Sequence, residues 1–78
     1  MKIKITKPDA ILFEGDVKLA QLPGTGGLFE ILNNHAPIIS SLEHGNIRLV
    51  TDSGEEKLFE IRGGVVKSQQ NDILILVQ

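Results

Sequence analysis

The residues of this chain whose types suit chemistry are few: His35, His44, ten carboxylates and the glycine-rich stretch Pro23-Gly24-Thr25-Gly26-Gly27. Such glycines raise phosphate binding first, since bare backbone N–H groups can cradle anions. No Gly-Lys-Ser/Thr follows, however, and a dinucleotide fingerprint would need a third glycine where Phe29 stands, with a helix after it. The stretch reads instead as a turn that lets two strands meet, and Gly63-Gly64 as a bulge or tight corner. A metal ion needs several ligands at short spacing, and neither histidine has that company. The carboxylates fall in turns or on the wet faces of strands, no serine sits in a nucleophile elbow, and there is no Cys. These residues predict no catalytic group, no cofactor and no metal.

The elements that would position any site read as β-strands. The 18 β-branched Ile, Val and Thr residues outnumber the three Ala, and stiff χ1 side chains pack better on a pleated surface than on a helix. Turn chemistry recurs at short intervals: Lys7-Pro8-Asp9, Gly15-Asp16, Pro23 to Gly27, Asn33 to Pro37, Glu43 to Asn46, Asp52-Ser53-Gly54, Gly63-Gly64 and Gln69 to Asp72. Alternation turns Ile3 and Ile5 inward against Lys2, Lys4 and Thr6, Ile47 and Leu49 inward against Asn46 and Arg48, and Phe59 and Ile61 inward against Glu60 and Arg62. Asp52-Ser53-Gly54-Glu55 closes a hairpin, with Gly54 free to take positive φ. Leu74, Leu76, Val50 and Leu58 are apolar on the faces opposite their inward neighbours, so something is expected to cover them.

Charge and composition exclude several partners. A net charge of −2 with interspersed signs makes no field for nucleic acid or anionic lipid, and the three Phe, with no Tyr or Trp, make no stacking platform. The longest apolar run, Ile73-Leu74-Ile75-Leu76-Val77, is far below the roughly 20 residues that span a bilayer, so no direct membrane insertion is expected. Met1-Lys2-Ile3-Lys4-Ile5 is interrupted by charge and reads as the first strand of a cytoplasmic protein, which the lack of Cys also suits. There remains the segment from Leu28 to Ile39, apolar on both parities around an Asn-Asn-His turn. Two readings stay open for it: a pair of core strands joined by a self-satisfied loop, or a protein-docking loop.

With those residues in view, the chain resembles the epsilon subunits of F-type ATP synthases, called delta in mitochondria. The pattern Leu22-Pro23-Gly24-Thr25-x-Gly27 followed by Asn34-His35-Ala36-Pro37-Ile38-Ile39 is similar to the family's LPGxxG and GHAPLL segments. Phe13-Glu14-Gly15, Gly45-Asn46-Ile47-Arg48 and Gly63-Gly64-Val65-Val66 extend the likeness over the whole chain. Asn34 stands where the family usually has Gly, a substitution that the ease of Asn in the left-handed region permits.

The resemblance implies an all-β domain over residues 1–78, a flattened β-sandwich of two sheets with about ten short strands. It implies a non-catalytic rotor subunit of the central stalk, held between the gamma subunit and the c-ring on the cytoplasmic face of the bacterial inner membrane. Gamma contacts are implied at Lys7, His35, Ile38, Ile39 and Ser40, and c-ring contacts at a loop tip reading Leu28-Phe29-Glu30, with the usual acid displaced two places to Glu30. Typical members continue into two inhibitory helices that in some bind ATP; this chain ends at Gln78, so neither inhibition by helices nor ATP binding is expected of it. The competing reading is a small carrier domain of the lipoyl or biotinyl type, with Lys57 as the modifiable lysine at a hairpin tip. A free-standing ligand-binding barrel enzyme is a third, and it would require a deep polar pocket.

Overall fold

The computed structural model describes residues 1–78 and contains eight strands: β1 (Lys2–Lys7), β2 (Ala10–Gly24), β3 (Gly27–Leu32), β4 (Ile38–Leu42), β5 (Gly45–Thr51), β6 (Glu56–Ile61), β7 (Gly64–Gln69) and β8 (Asp72–Val77). There is no helix, as the β-branched composition requires. All pairings are antiparallel except β1 with β8, and they run β1-β8-β7-β4-β2-β5-β6, with β3 also on β2 and β2 returning to β1.

One ladder makes two layers because β2 serves both. Its residues 10–16 pair with β1, and its later residues pair with β5 on one side and β3 on the other. The first layer therefore holds the start of β2 with β1, β8, β7 and β4; the second holds β3, the end of β2, β5 and β6. Eight strands form where about ten short ones were expected. Gly15-Asp16 makes no turn: Gly15 pairs with Ile3 and Asp16 with Lys2 inside a 15-residue strand. The strand instead bends through a register irregularity between Val17 and Leu19, which lets it cross from one layer to the other. A single pair, Gly24 with Leu42, rejoins the layers at the far end of β2.

The alternation read from the sequence is the alternation of burial. Ile3, Ile5, Ile47, Leu49, Ile61, Ile73, Ile75 and Val77 all belong to the buried cluster, while Phe13, Phe29, Ile38 and Phe59 pack on its rim. The rings of Phe13 and Phe59 meet in a tilted arrangement, with centroids 5.8 Å apart and planes at 53°. Ser68 is the one buried polar side chain, and no buried side-chain polar atom lacks a partner. The hairpin at Asp52-Ser53-Gly54 forms as expected, with Gly54 at φ 92° and Thr51 accepting from both Gly54 N and, through its hydroxyl, Glu55 N.

Two glycine corners are set by close backbone approach. At Gly24 an added Cβ would lie 2.7 Å from the Phe29 ring and 2.9 Å from the Gly27 carbonyl oxygen, so the stretch Gly24 to Gly27 is a tight hairpin that brings β2 and β3 together. Gly63-Gly64 carries the chain from β6 in the second layer to β7 in the first, and the Gly63 carbonyl accepts from Gln78 N at 3.1 Å.

Candidate protein-docking interface

The segment Leu28 to Ile39 passes from the second layer to the first, and this crossing decides where its side chains go. In β3, Ile31 is fully buried and Phe29 half-buried, while Leu28 is 68% and Leu32 50% exposed on the outer face. In β4, Ile38 and Ser40 lean toward the interior beside Ser68 and Val66, and Ile39 points outward, 75% exposed. The segment thus supplies core residues from one parity and leaves large apolar side chains in water on the other.

Ile39 does not stand alone. Strand registers put Ile39 beside Lys67, then Leu74, then Lys4, and in the next row Ser41, Val65, Leu76, Thr6 and Ile11 follow one another. Exposed Ile39, Val65, Leu74, Leu76 and Ile11 are therefore interleaved with lysines across the outside of the first layer. Leu28, Leu32 and Leu58 occupy the outside of the second layer. The apolar residues expected to need a cover thus fall on two opposite faces: Leu74 and Leu76 on one, Val50 and Leu58 on the other.

The second layer also carries a polar ladder that the sequence did not announce. Gln21 Nε2 donates to Glu30 Oε2 at 3.4 Å, Arg48 Nε donates to Gln21 Oε1 at 3.4 Å, and Arg48 Nη1 donates to Glu56 Oε2 at 2.9 Å. Glu30, Gln21 and Arg48 stand in register across β3, β2 and β5, so the ladder fixes the Glu30 carboxylate on the outer face. Its only advance signal was the outward parity of Arg48. Replacing Arg48 by Met is expected to cost about 1 kcal/mol, because Glu56 keeps more than half its side chain in water while Arg48 is partly covered. Part of that loss should vanish at high salt in urea denaturation; a salt-independent loss of several kcal/mol would show the ladder to be structural core.

The structure does not bring all the expected contact residues together. Leu28, Phe29 and Glu30 are not a loop tip: they lie within β3, the tip is Thr25-Gly26, and the Phe29 ring turns inward over Gly24. Ile38 and Ser40 share the inner face, away from Ile39. Lys7 ends β1 beside Ala10, whereas the His35 loop sits by the opposite end, where the Met1 ammonium donates to Asn33 Oδ1 at 3.3 Å. The five residues of β1 between those ends amount to roughly 17 Å of strand. His35 is exposed, with Nδ1 2.7 Å from the Ala36 carbonyl oxygen.

Three His, Asp or Glu side chains nowhere gather in a metal-sized group. An open concavity over the first layer is lined by Lys2, Lys4 and Lys67 against Glu14, Asp16 and Asp72. Lys57 is not at a hairpin tip: it pairs with Leu49 inside β6, and its Nζ lies 3.9 Å from Glu55 Oε2. The carrier-domain arrangement is therefore not the one present. No helix is long and apolar enough to cross a membrane.

Residues 1–78 match the family described as the ATP synthase Delta/Epsilon chain beta-sandwich domain. The chain is 41% identical over 75 residues to the ATP synthase epsilon chain of Clostridium novyi, covering 96% of this chain and 57% of that one. It is 34% identical over 77 residues to the ATP synthase epsilon chain of Chlorobium limicola, covering 99% of this chain and 88% of that one. In fold it is similar to a chain of the Euglena gracilis mitochondrial ATP synthase, solved as OSCP/F1/c-ring in rotational state 1. There the TM-score is 0.90 at 17% identity, over 96% of this chain and 48% of that one. A chain in the central stalk/c-ring structure of the Tetrahymena thermophila mitochondrial ATP synthase superposes with a TM-score of 0.81 at 20% identity, over 100% of this chain and 63% of that one.

Proposed function

The chain belongs to the ATP synthase delta/epsilon family, and from that premise we propose that it is a non-catalytic subunit of the rotating central stalk, wedged between the gamma subunit and the c-ring. The observation that carries this reading is the pair of opposed faces, each with large apolar side chains left in water. Ile39 at 75% exposure marks one, and Leu28 at 68% marks the other. A body held between two partners needs two such faces. Burying either side chain in an interface contributes about 25 cal/mol per Å² of apolar area removed from water.

Within this reading His35 and Ile39, with Lys67 and Leu74 beside them, form the gamma-facing surface. Leu28 and Glu30 face the c-ring, with Phe29 as their backing. Lys7 lies too far from His35 to share one small patch with it and takes part only if gamma spans the length of β1. Ile38 and Ser40 act from beneath, by holding the strand that presents Ile39. Polar residues at the rim orient the docking, and the apolar ones supply the area.

Stiffness is the property that ion-driven rotation would demand of such a wedge. Because β2 is hydrogen-bonded into both layers, one layer cannot slide on the other without breaking that strand's own pairings. Torque applied at one face would reach the other with little lost to internal motion. The domain would make or break no bond itself, and it would sit peripherally on the cytoplasmic face of the bacterial inner membrane.

A pull-down with recombinant gamma subunit tests this directly. The expected result is retention of the chain by gamma, with stronger retention when the c-ring is also present. A chain that passes both baits unretained would end the reading.

A further inference from the structure

The loop that carries His35 is fastened to a turn remote from it in the chain. Asn34 stands at φ 65° and Asn71 at φ 62°, both in the left-handed region where few side chains are comfortable. Asn34 N donates to Asn71 Oδ1 at 2.8 Å, and Asn71 Nδ2 returns a longer contact to Asn34 Oδ1 at 3.4 Å. Asn71 is itself tied down, because its main-chain carbonyl accepts from Lys2 N at 2.9 Å. On the loop side, His35 N donates to the Leu32 carbonyl at 3.1 Å. From these contacts we infer that Asn71 is a positioning residue for docking: it holds the loop of residues 33–37 in one conformation and so presents His35 ready-made to the partner.

The physical reason lies in the location of the loop. It crosses between layers, has no strand partner of its own, and is exposed from Leu32 to Pro37. An unclamped loop of this kind samples many conformations, and the apparent affinity falls by the fraction that is competent to bind. A side-chain acceptor aimed at the Asn34 amide, next to His35, raises that fraction. The left-handed backbone at both ends of the bond places the two side chains against each other, which a glycine at position 71 would permit in backbone but could not supply in side chain.

This inference rests on the reading of His35 as part of the gamma-facing surface. Its test uses Asn71→Gly, which keeps the turn and deletes the acceptor, and Asn71→Asp, which keeps both the acceptor and a tolerance for positive φ. Asn71→Gly is expected to speed amide exchange at Asn34 at least about ten-fold and to weaken gamma binding about five-fold, the scale of one net hydrogen bond. Asn71→Asp should restore both within about two-fold, and Asn34→Gly, which retains the main-chain donor, should change gamma binding by no more than about two-fold. If wild type binds gamma and Asn71→Gly binds equally well, the positioning role falls while the docking reading stands. If wild type itself does not bind gamma, both fall. Equal exchange at Asn34 in wild type and Asn71→Gly, or binding by Asn71→Asp as weak as that of Asn71→Gly, also overturns the role.

Discussion

Gly64→Ala is expected to destabilise the domain by about 3 kcal/mol or more, which for a chain of this size lowers the melting temperature by about 15 °C. A Cβ at position 64 would collide with the Leu76 carbonyl oxygen and lie 3.1 Å from Val77 Cα and 3.2 Å from Leu76 C. All three are backbone atoms, so no rotamer change can relieve the contact. Either β8 moves off β7 or the corner after β6 opens. Both routes disturb Ile75 and Val77, which lie in the buried cluster. Gly26→Ala is the control: nothing lies within 4 Å of its added Cβ and its φ is not positive, so a change within about 0.5 kcal/mol is expected. Urea denaturation of the two variants beside wild type decides the matter. Equal midpoints for Gly64→Ala and wild type would mean that β7 and β8 do not approach as closely as this.

His35→Ala combined with Ile39→Asp is expected to weaken binding to gamma about a hundred-fold or more, with the melting temperature of the isolated domain unchanged within about 3 °C. The contrast follows from exposure. Ile39 is 75% exposed, so the free domain loses little apolar burial when it is replaced. An aspartate there would even stand opposite Lys67. In a complex the same position would be taken out of water, and the carboxylate, even beside Lys67, would then carry a cost of desolvation on top of the lost apolar contact area. His35→Ala removes the polar tip of the loop without touching the buried cluster. The measurement is an affinity titration against gamma beside a thermal melt of each protein. Tight binding by a folded double variant would remove this face from the interface.

How much of this was legible beforehand depended on how local each question was. The inward positions of Ile3, Ile5, Ile47, Leu49, Ile61, Ile73 and Ile75 follow from period-two alternation, because neighbouring side chains on a strand must point to opposite faces whatever the strand pairs with. The Asp52-Ser53-Gly54 hairpin was legible for the same reason: a turn is decided by the residues within it. The sequence motifs also pointed to the right family. Gly15-Asp16 misled, because a glycine that looks like a turn can equally be the place where a long strand bends between two sheets. Leu28-Phe29-Glu30 misled as a loop tip, because the length of the preceding hairpin depends on Gly24 meeting Gly27 across the turn.

The candidate contacts show the same division. That some apolar residues between Leu28 and Ile39 would be left in water was readable from their occurrence on both parities, though not that Leu28 and Ile39, rather than Phe29 and Ile38, would be the exposed ones. That these two would occupy opposite faces was not readable either, since it requires knowing that β3 joins β2 while β4 joins β7. The separation of Lys7 from His35, the Glu30-Gln21-Arg48-Glu56 ladder and the Asn34–Asn71 clamp all depend on pairings between distant parts of the chain.

The amino-acid order alone thus determined strand content, the inward set and the family likeness, because each rests on residues a few positions apart. Only the tertiary structure decided which exposed side chains share a face, what fixes Glu30 and which residue steadies the His35 loop. Hydrogen-bonded registers between remote segments set those relations. Such registers are selected by the packing of the whole core, and no short window of sequence contains that information.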